Sequence, residues 1–374
     1  MNAKFVKIIG ILTILAVMVV GTLVAGCTSS PTVTVTATPT PSQAPVTPST
    51  VTITDDAGRV VTVPFPVSRI ATPVIVNEWV MLMLGVENKE VAVANNVPTD
   101  PSLLAYYPGY ANLSTPFTGW SASGVNMETL LAANPQVVVL DPTDPRIAQI
   151  NGSIPVIESS YSTNMSGYVA TIGKLFGGNA QKTADAYDSW YSGMLSNVSA
   201  KINTVPQSQK PTFIRIVIWE GQWYIAPYDP TSYYSIAGGV NVVPANTTLA
   251  STEEQALSYA KNVSVIFTNS PTDVQQIMSD PAWQNVPAVK NNQIYIEPSG
   301  MSAYGSETPE AALAIVWAAN TFYPNLFNGT DMSTLNQMNY FYPTFYHYNI
   351  NATEINDTLT GQGFVPIASE ITNR

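Results

Sequence analysis

The fold is decided by residues 179–204, NAQKTADAYDSWYSGMLSNVSAKINT, whose apolar residues recur every three or four positions. This spacing is the period of an α-helix and not that of a strand. Gly177 and Gly178 interrupt the preceding pattern, Asn179 is a residue type that caps helix N-termini, and Pro206 marks the far end. About 25 residues at 1.5 Å each give a helix of roughly 37 Å. The stretch predicts either an ordinary surface helix or a rigid strut between two lobes.

Strand and helix patterns alternate on both sides of this helix. The strand patterns that precede it lie at residues 51–54, 60–63, 70–76, 91–94, 137–140 and 154–157. Those that follow it lie at residues 213–218, 263–267 and 293–296. The alternation predicts an α/β protein with two Rossmann-like lobes joined by one long α-helix, with a ligand cleft between the lobes.

The N-terminus carries an export signal. Lys4 and Lys7 precede an uncharged run over residues 8–26, which is typical of a leader and long enough to span a bilayer. The sequence LVAGC resembles the lipobox of lipoproteins, which predicts lipidation at Cys27; an uncleaved transmembrane anchor is the alternative. We therefore expect the protein outside the cytoplasm, anchored to the outer face of the membrane.

These features divide the chain into five segments. They are a signal peptide or anchor (1–26), a Thr/Pro/Ser-rich disordered linker (27–50), an N-terminal lobe (51–178), the inter-lobe helix (179–204) and a C-terminal lobe (205–374).

Composition excludes several functions. Only 10% of residues are charged and the net charge is −11, which argues against a nucleic-acid partner. Cys27 is the single cysteine and His347 the single histidine, so the sequence offers no disulfide, zinc cluster or spare catalytic histidine. We expect a monomer that is not an enzyme and holds no cofactor or metal of its own.

Two segments, one on each side of the long helix, share a plan. ETLLAANPQVVV at residues 128–139 and EQALSYAKNVSVI at residues 254–266 each have an acidic helix start, a leucine three positions later and an apolar strand. The second copy carries one extra residue before its strand. Carboxylates favour helix N-termini for dipole reasons alone, but one such helix in each lobe indicates a repeated design.

The order of these motifs resembles the substrate-binding proteins of ABC importers for ferric siderophores, haem and vitamin B12. The matching pieces are VTITDDAGRVVTVP (51–64), RIATPV (69–74), GVNMETLLAANPQVVVL (124–140), SIAGGVNVV (235–243), the Glu254 helix, DPAWQNVPAVKNNQIYIEPSG (280–300) and the Trp317 helix. The resemblance implies two rigid lobes, little hinge closure, and a ligand carried to a permease and its ATPase. It also implies that Glu128 and Glu254, with Glu253 as an alternative, dock on permease arginines.

Residues that follow strands in a two-lobe α/β protein face the cleft, and aromatic rings there suit a large chelate. On this basis the predicted ligand contacts are Asn77, Glu78, Trp79, Asn96, Tyr107, Arg215, Trp219, Trp223, Tyr224, Ser302 and Tyr304. The resemblance adds Trp120, which matches the region where cobalamin binders place an aromatic residue. For each aromatic residue the alternative is packing in the core. Tyr187, Trp190 and Tyr191 on the strut are expected to pack against the lobes.

The scarcity of cations restricts the ligand. After the leader the arginines are Arg59, Arg69, Arg146, Arg215 and Arg374, with no cluster suited to a strongly anionic chelate. The sequence therefore favours a neutral, cationic or weakly anionic iron chelate or corrinoid. An oxyanion such as molybdate or tungstate, held by helix N-termini and hydroxyls, is the alternative. A surface glycoprotein without a small ligand is a more distant one.

Nine Asn-x-Ser/Thr sequons occur in the chain. They begin at Asn112, Asn151, Asn164, Asn197, Asn246, Asn262, Asn328, Asn351 and Asn356. Since roughly five would arise by chance, the excess is a mild indication of glycosylation and, with the leader, of an archaeal cell surface.

Overall fold

The computed structural model describes residues 49–118 and 124–372. The predicted leader and lipidation site Cys27, nearly all of the linker, and Trp120 lie outside the described residues. Within these ranges no helix combines the length and apolar composition needed to cross a bilayer.

The N-terminal lobe is built on a parallel sheet that follows a small hairpin. The hairpin pairs β1 (Thr50–Thr54) with β2 (Val60–Pro64), and its turn contains Gly58 in the left-handed region, as predicted. The sheet has the order β5-β4-β3-β6-β7. Its strands are β3 (Ile70–Thr72), β4 (Glu90–Ala94), β5 (Ser114–Phe117), β6 (Val137–Leu140) and β7 (Val156–Glu158). All four residues of β6 are buried, because helices cover both faces of the sheet.

Five helices surround this sheet. They are α1 (Val76–Leu84), α2 (Pro101–Tyr106), α3 (Met127–Ala133), α4 (Ile147–Ile150) and α5 (Met165–Phe176). Every residue of α1 is buried, so this helix lies inside the lobe rather than on its surface.

The predicted strut is α6 (Gly178–Ile202). Its N-cap is Gly177 at φ 65°, not the predicted Asn179, because the chain turns sharply where α5 ends. The first half of its buried face, Ala180, Ala184 and Tyr187, belongs to the core of the N-terminal lobe. The second half, Met194, Val198 and Ile202, belongs to the core of the C-terminal lobe. One helix therefore anchors both lobes.

The C-terminal lobe has a mixed sheet of order β11-β9-β8-β12-β13, with β10 beside β8. Its strands are β8 (Thr212–Trp219), β9 (Gln222–Ile225), β10 (Val240–Asn241), β11 (Ala250–Ser251), β12 (Val265–Thr268) and β13 (Ile294–Ile296). The antiparallel hairpin β8–β9 was not predicted. It turns at Glu220 and Gly221, both at positive φ, which suits a tight hairpin turn.

Eight helices complete this half of the chain. They are α7 (Tyr233–Ile236), α8 (Glu253–Ala260), α9 (Pro271–Ser279), α10 (Pro287–Lys290), α11 (Leu313–Phe322), α12 (Pro324–Phe327), α13 (Thr334–Phe345) and α14 (Ala352–Leu359).

The end of the chain returns to the N-terminal lobe. Residues 334–348, here called the C-terminal clasp, contribute buried side chains to the same core as α1, α5 and the first half of α6. The Tyr106 hydroxyl donates to the carbonyl of Tyr346, and the rings of Trp79 and Tyr346 lie 5.7 Å apart. The Trp190 indole nitrogen of the strut donates to Gln337 Oε1 at 2.8 Å. The lobes are thus joined by the strut and by the clasp.

Candidate functional site

Two adjoining cavities lie between the lobes, and a third lies beside them within the C-terminal lobe. The strut cavity, about 100 Å³, is lined by Tyr161, Ser162, Thr163, Met165, Tyr187, Tyr191, Thr231, Tyr233, Ile236, Glu307, Thr308, Ala311 and Ala312. The main cavity, about 380 Å³, is lined by Ser162, Phe213, Arg215, Ala226, Pro227, Asp229, Thr231, Ser232, Tyr233, Tyr234, Asn241, Gly305 and Glu307. The rear cavity, about 290 Å³, shares Arg215 and Gly305 with the main one. Together they form the cleft, with walls from both lobes and a floor from α6.

The wall from the N-terminal lobe is polar and carries a carboxylate. Asp141 directly follows β6, and its Oδ2 accepts from the hydroxyls of Ser160 at 2.8 Å and Ser162 at 3.3 Å. Burial raises the pKa of Asp141, but hydrogen bonds from Thr143 and these serines outweigh it and leave that pKa lowered. Asp141 is therefore ionised at neutral pH, behind a hydroxyl that lines two of the cavities.

The wall from the C-terminal lobe carries a paired arginine. Arg215 on β8 donates through Nε and Nη2 to the carboxylate of Glu297, at 2.5 and 2.7 Å. The Tyr234 hydroxyl donates to the same carboxylate. Burial alone lowers the pKa of the Arg215 guanidinium, but Glu297 outweighs it and leaves that pKa raised. The positive charge on this wall is already neutralised.

Glu307, like Asp229 of the main cavity, is a carboxylate that faces the cleft without a cation among the described residues. It lines both the strut cavity and the main cavity, and among the described residues it forms no ion pair. Burial and the charge of Asp141 on the opposite lobe raise its pKa. Two carboxylates of the same sign therefore act on each other across the cleft.

Tyrosines surround Glu307. Burial and then Glu307 raise the pKa of Tyr161 to about 12, and the same two causes raise the pKa of Tyr233 to about 12. Tyr191 of α6 lines the strut cavity beside Glu307, whereas it was expected to pack against the lobes. The cleft thus presents neutral aromatic hydroxyls beside uncompensated carboxylates.

Three predicted contacts from the N-terminal lobe lie in its core instead. Asn77, Glu78 and Trp79 are 1%, 0% and 4% exposed. The predicted strand ended near Val76, but α1 begins there, so these residues occupy its first turns and point inward. The Trp79 ring packs edge-on to Tyr106, 6.2 Å between centroids. The cleft prediction for these three residues was wrong.

Glu78 belongs to a buried network of neutral donors. The Thr72 hydroxyl lies 3.1 Å from Glu78 Oε1 and 2.6 Å from Glu90 Oε1, and the Tyr110 hydroxyl donates to Glu90 Oε2 at 2.7 Å. Burial raises the pKa of Glu90 to about 8, and burial together with Glu90 raises that of Glu78 well above its ordinary value. A protonated Glu78 can donate to Thr72, which donates to Glu90, while Glu78 Oε2 is buried without a hydrogen-bond partner among the described residues.

The other predicted contacts of this lobe remain predictions. Asn96 is exposed and Tyr107 is half-buried, with its ring 5.2 Å from that of Tyr110. Neither residue lines the three cavities.

On β8 and β9, alternation decides which side chains reach the cleft. Phe213 and Arg215 line the main cavity, and Trp219 follows on the same face, 64% exposed. Tyr224, opposite Val217, shares that face and is half-buried. Trp223 faces the other way, 5% exposed, and stacks on Trp283 at 5.5 Å. Its predicted ligand contact was wrong, because it belongs to the core.

The predicted residues of the 298–306 loop lie behind the cleft wall. Ser302 donates its hydroxyl to Glu310 Oε1 at 2.6 Å, and the Tyr304 side chain is fully buried. Burial raises the pKa of Glu310 to about 7. Tyr304 thus supports the loop from the core, so its predicted contact was wrong, whereas Gly305 and Glu307 reach the cavities. Ser302 is half-buried and lines none of the three cavities, so its contact remains a prediction.

The two predicted docking residues occupy matching positions. Glu128 follows the N-cap Asn126 of α3 by two residues, and Glu254 follows the N-cap Thr252 of α8 by two. Both side chains are exposed. Glu253 instead accepts from the Trp283 indole nitrogen at 3.1 Å, so the geometry favours Glu254 over Glu253.

Metal ligation finds no support in the part of the chain that the structure describes. There, no group of three or more His, Cys, Asp or Glu side chains is arranged to hold a metal ion.

Comparison with known proteins agrees with this architecture. A family model described as periplasmic binding protein matches residues 80–300. The chain belongs to the periplasmic binding protein family. It is accordingly a solute-binding protein of an ABC importer and not an enzyme, as the sequence predicted.

Several individual relatives of this periplasmic binding protein can be named. The molybdate-binding protein MolA of Haemophilus influenzae is 26% identical over 324 residues, 79% of this chain and 90% of that protein. Its molybdate-bound structure has a TM-score of 0.61 at 22% identity, covering 80% of this chain and 99% of that one. A periplasmic solute-binding protein of Veillonella parvula has a TM-score of 0.68 at 21% identity, covering 83% and 97%. The vitamin B12-binding protein BtuF of Vibrio cholerae has a TM-score of 0.54 at 19% identity, covering 69% and 98%. The shared fold confirms two α/β lobes joined by a long helix.

Proposed function

We propose that this protein captures a neutral or cationic iron chelate or corrinoid in the inter-lobe cleft and delivers it to its permease. The observation that carries the proposal is the carboxylate of Glu307, which lines the strut and main cavities without a cation, with Asp141 behind the Ser162 hydroxyl on the opposite lobe. A cationic solute between them relieves their repulsion and contacts both lobes at once.

The single arginine of the cleft does not reverse this preference. The Arg215 guanidinium already binds the Glu297 carboxylate through two donors, so an incoming anion would have to compete with that carboxylate. An anion would also meet Glu307 on the same wall. The net charge of the cleft therefore favours a solute without negative charge.

The lining also suits a chelate with apolar surface. Tyr161, Tyr191 and Tyr233 supply aromatic faces, and each can donate a hydroxyl hydrogen bond while remaining uncharged at neutral pH. The main cavity, about 380 Å³, falls at the small end of ligand sites, and the two adjoining cavities extend it.

An oxyanion is the second candidate, and the relationship to MolA favours it. The hydroxyls of Ser162, Thr163 and Thr231 line the strut cavity and can donate to an oxyanion. The two candidates differ in what Glu307 does: it attracts a cationic chelate and repels molybdate.

Thermal-shift and calorimetric titrations with defined probes test the proposal. We expect a cationic ferric trihydroxamate or dicyanide-free cobinamide to raise the midpoint of unfolding, and molybdate and tungstate to leave it unchanged. Glu307→Gln should weaken the cationic probe about tenfold, which corresponds to about 1.4 kcal/mol. Asp185→Asn, an exposed acid on the strut, is the matched control and should leave affinity unchanged.

Glu307→Lys separates the two candidates. The variant should lose the cationic probe, and any weak molybdate binding should strengthen. If the native chain binds molybdate tightly, the oxyanion proposal replaces the chelate proposal. This holds whether Glu307→Lys abolishes that binding or leaves it unaffected.

Tethering and docking complete the proposed function. We propose that Cys27 carries a lipid that holds the protein at the outer face of the membrane, and that Glu128 and Glu254 orient it on the permease. Cys27→Ser should release the protein into the medium; retention in the membrane fraction would indicate an uncleaved anchor instead.

A further inference from the structure

The nine sequons have no part in solute capture, and the structure separates them by local geometry. All nine asparagines are exposed: Asn112, Asn151, Asn164, Asn197, Asn246, Asn262, Asn328, Asn351 and Asn356. Exposure of the asparagine is therefore not the discriminating property. What differs is the backbone of the sequon, which is a turn with a glycine at its middle position in two cases and lies wholly inside a helix in two others.

Four sequons lie in turns outside helices and strands, at Asn151, Asn246, Asn262 and Asn328, and two of them, at Asn151 and Asn328, have a glycine in the middle position. Asn151-Gly152-Ser153 follows α4, and all three of its residues are exposed. Asn328-Gly329-Thr330 follows α12, with Asn328 and Gly329 exposed.

The middle glycine of each turn is left-handed and unobstructed. Gly152 has φ +94° and Gly329 has φ +74°, and no heavy atom lies within 4 Å of the position that a Cβ would take at either residue. Each turn is therefore free on its outer side, where a transferase must approach.

Two other sequons are held inside helices. Asn197-Val198-Ser199 lies within the strut α6, and Val198 is fully buried in the core of the C-terminal lobe. Asn356-Asp357-Thr358 lies within α14, and the buried Thr358 hydroxyl donates to the Glu354 carbonyl at 2.7 Å. Presenting either sequon would require the helix to unwind. The remaining five fall between these extremes.

The two open turns also lie away from the proposed docking residues. Asn151 precedes β7 and so lies at the amino edge of its sheet. Asn328 adjoins the end of the strut, where Lys201 Nζ donates to the Leu326 carbonyl at 3.0 Å, just before the chain enters β8. Glu128 and Glu254 begin helices that run back from the carboxyl edges. A bulky group at either turn leaves the carboxyl edges and the cleft open.

We propose that Asn151 and Asn328 are N-glycosylation sites and that Asn197 and Asn356 are not. The reaction requires an oligosaccharide linked through its C1 to a lipid phosphate. The Asn amide nitrogen forms a bond to C1 and loses one proton, while the C1–O bond breaks and the lipid phosphate leaves with the electron pair. The proposal depends on the predicted export of the chain and not on which solute the cleft binds.

Glycopeptide mass spectrometry of the full chain, purified from the membranes of its own host, tests this assignment. We expect glycan on the peptides containing Asn151 and Asn328 and unmodified asparagine at positions 197 and 356. Asn151→Gln and Asn328→Gln should each reduce the mass of the intact protein by one glycan, and Asn197→Gln and Asn356→Gln should not.

Hydroxyl variants keep the asparagines and serve as matched controls. Ser153→Ala should abolish modification at Asn151, whereas Ser153→Thr should preserve it. Since Ser153 is exposed, both variants should have the same unfolding temperature as the native protein. Unmodified Asn151 and Asn328 in host-derived protein, or equal occupancy at Asn197 and Asn356, would overturn the assignment.

Discussion

Two buried carboxylate clusters, one in each lobe, are stabilised by different means. In the N-terminal lobe, Glu78 and Glu90 share the Thr72 hydroxyl and are kept neutral by protonation. In the C-terminal lobe, Glu297 stays paired with the guanidinium of Arg215. The stability of the first arrangement depends on pH, and that of the second depends on the presence of the Arg215 cation. Only the second faces the cleft, where a fixed charge helps to select the solute.

Removing the cation should have the largest effect on stability. Arg215→Met leaves the Glu297 carboxylate, 9% exposed, without its partner and should lower the free energy of unfolding by about 3 kcal/mol. Urea denaturation measures this loss. The double variant Arg215→Met/Glu297→Met should recover most of it, because both charges are then absent; equal losses in the two variants would show that the pair is not a coupled unit.

A change of pH should act on the other lobe. Because the pKa of Glu90 is about 8 when folded and near 4.5 when unfolded, the unfolded chain releases its proton first. The contribution of Glu90 to the free energy of unfolding is therefore full below pH 4.5 and is lost as the pH rises towards 8.

Glu90→Gln should flatten this pH dependence, as measured by urea denaturation at pH 5 and pH 8. Arg215→Met/Glu297→Met should retain the native slope, which makes it the matched control. A native protein equally stable at both pH values would contradict the protonated network.

Deleting one donor of that network should have a smaller effect. Tyr110→Phe removes the hydroxyl that donates to Glu90 Oε2 and should cost about 1 kcal/mol. The same bond lowers the pKa of Glu90, so its loss should extend the pH-sensitive range upwards. Tyr340→Phe, at an exposed ring, should change neither quantity.

Of all these groups, the exposed carboxylates of Glu128 and Glu254 should contribute least to stability and most to transport. Glu128→Lys/Glu254→Lys should change the free energy of unfolding by less than about 0.5 kcal/mol and leave solute affinity unchanged. Uptake into proteoliposomes containing the permease and ATPase should fall sharply.

Glu253→Gln is the control for this pair, because that side chain accepts from Trp283 instead of facing solvent. It should preserve uptake and alter stability modestly. Unchanged uptake by the double charge reversal would refute the docking assignment.

Local periodicity was enough to predict the fold. The helical spacing of Ala180, Ala184 and Tyr187 continues through the strut, and the Val137–Leu140 run is a buried strand, so both elements were found. The hairpin β8–β9 was missed, because the polar stretch at its turn, Glu220 to Gln222, is short and leaves no long gap between the two apolar runs.

The site was predicted only in part. Arg215 was expected in the cleft and lines it, whereas the expected Glu78 lies in the core because α1 starts earlier than predicted. Asp141 directly follows a predicted strand, so the rule that selected Asn77 could have selected it. Glu307 lies in a loop between a strand and a helix, where neither periodicity nor a motif indicates which way its side chain points. Its position opposite Asp141 depends on how the lobes meet, which is a tertiary property.

The C-terminal clasp dictates an order of assembly. Phe341, Tyr342, Phe345 and Tyr346 fill a core most of whose other members were synthesised more than a hundred residues earlier. The first lobe therefore cannot finish folding while the last segment is still missing, which keeps the chain pliable until it has been made in full. Export through a narrow channel needs such a delay, and truncation near residue 333 should leave both lobes unable to mature.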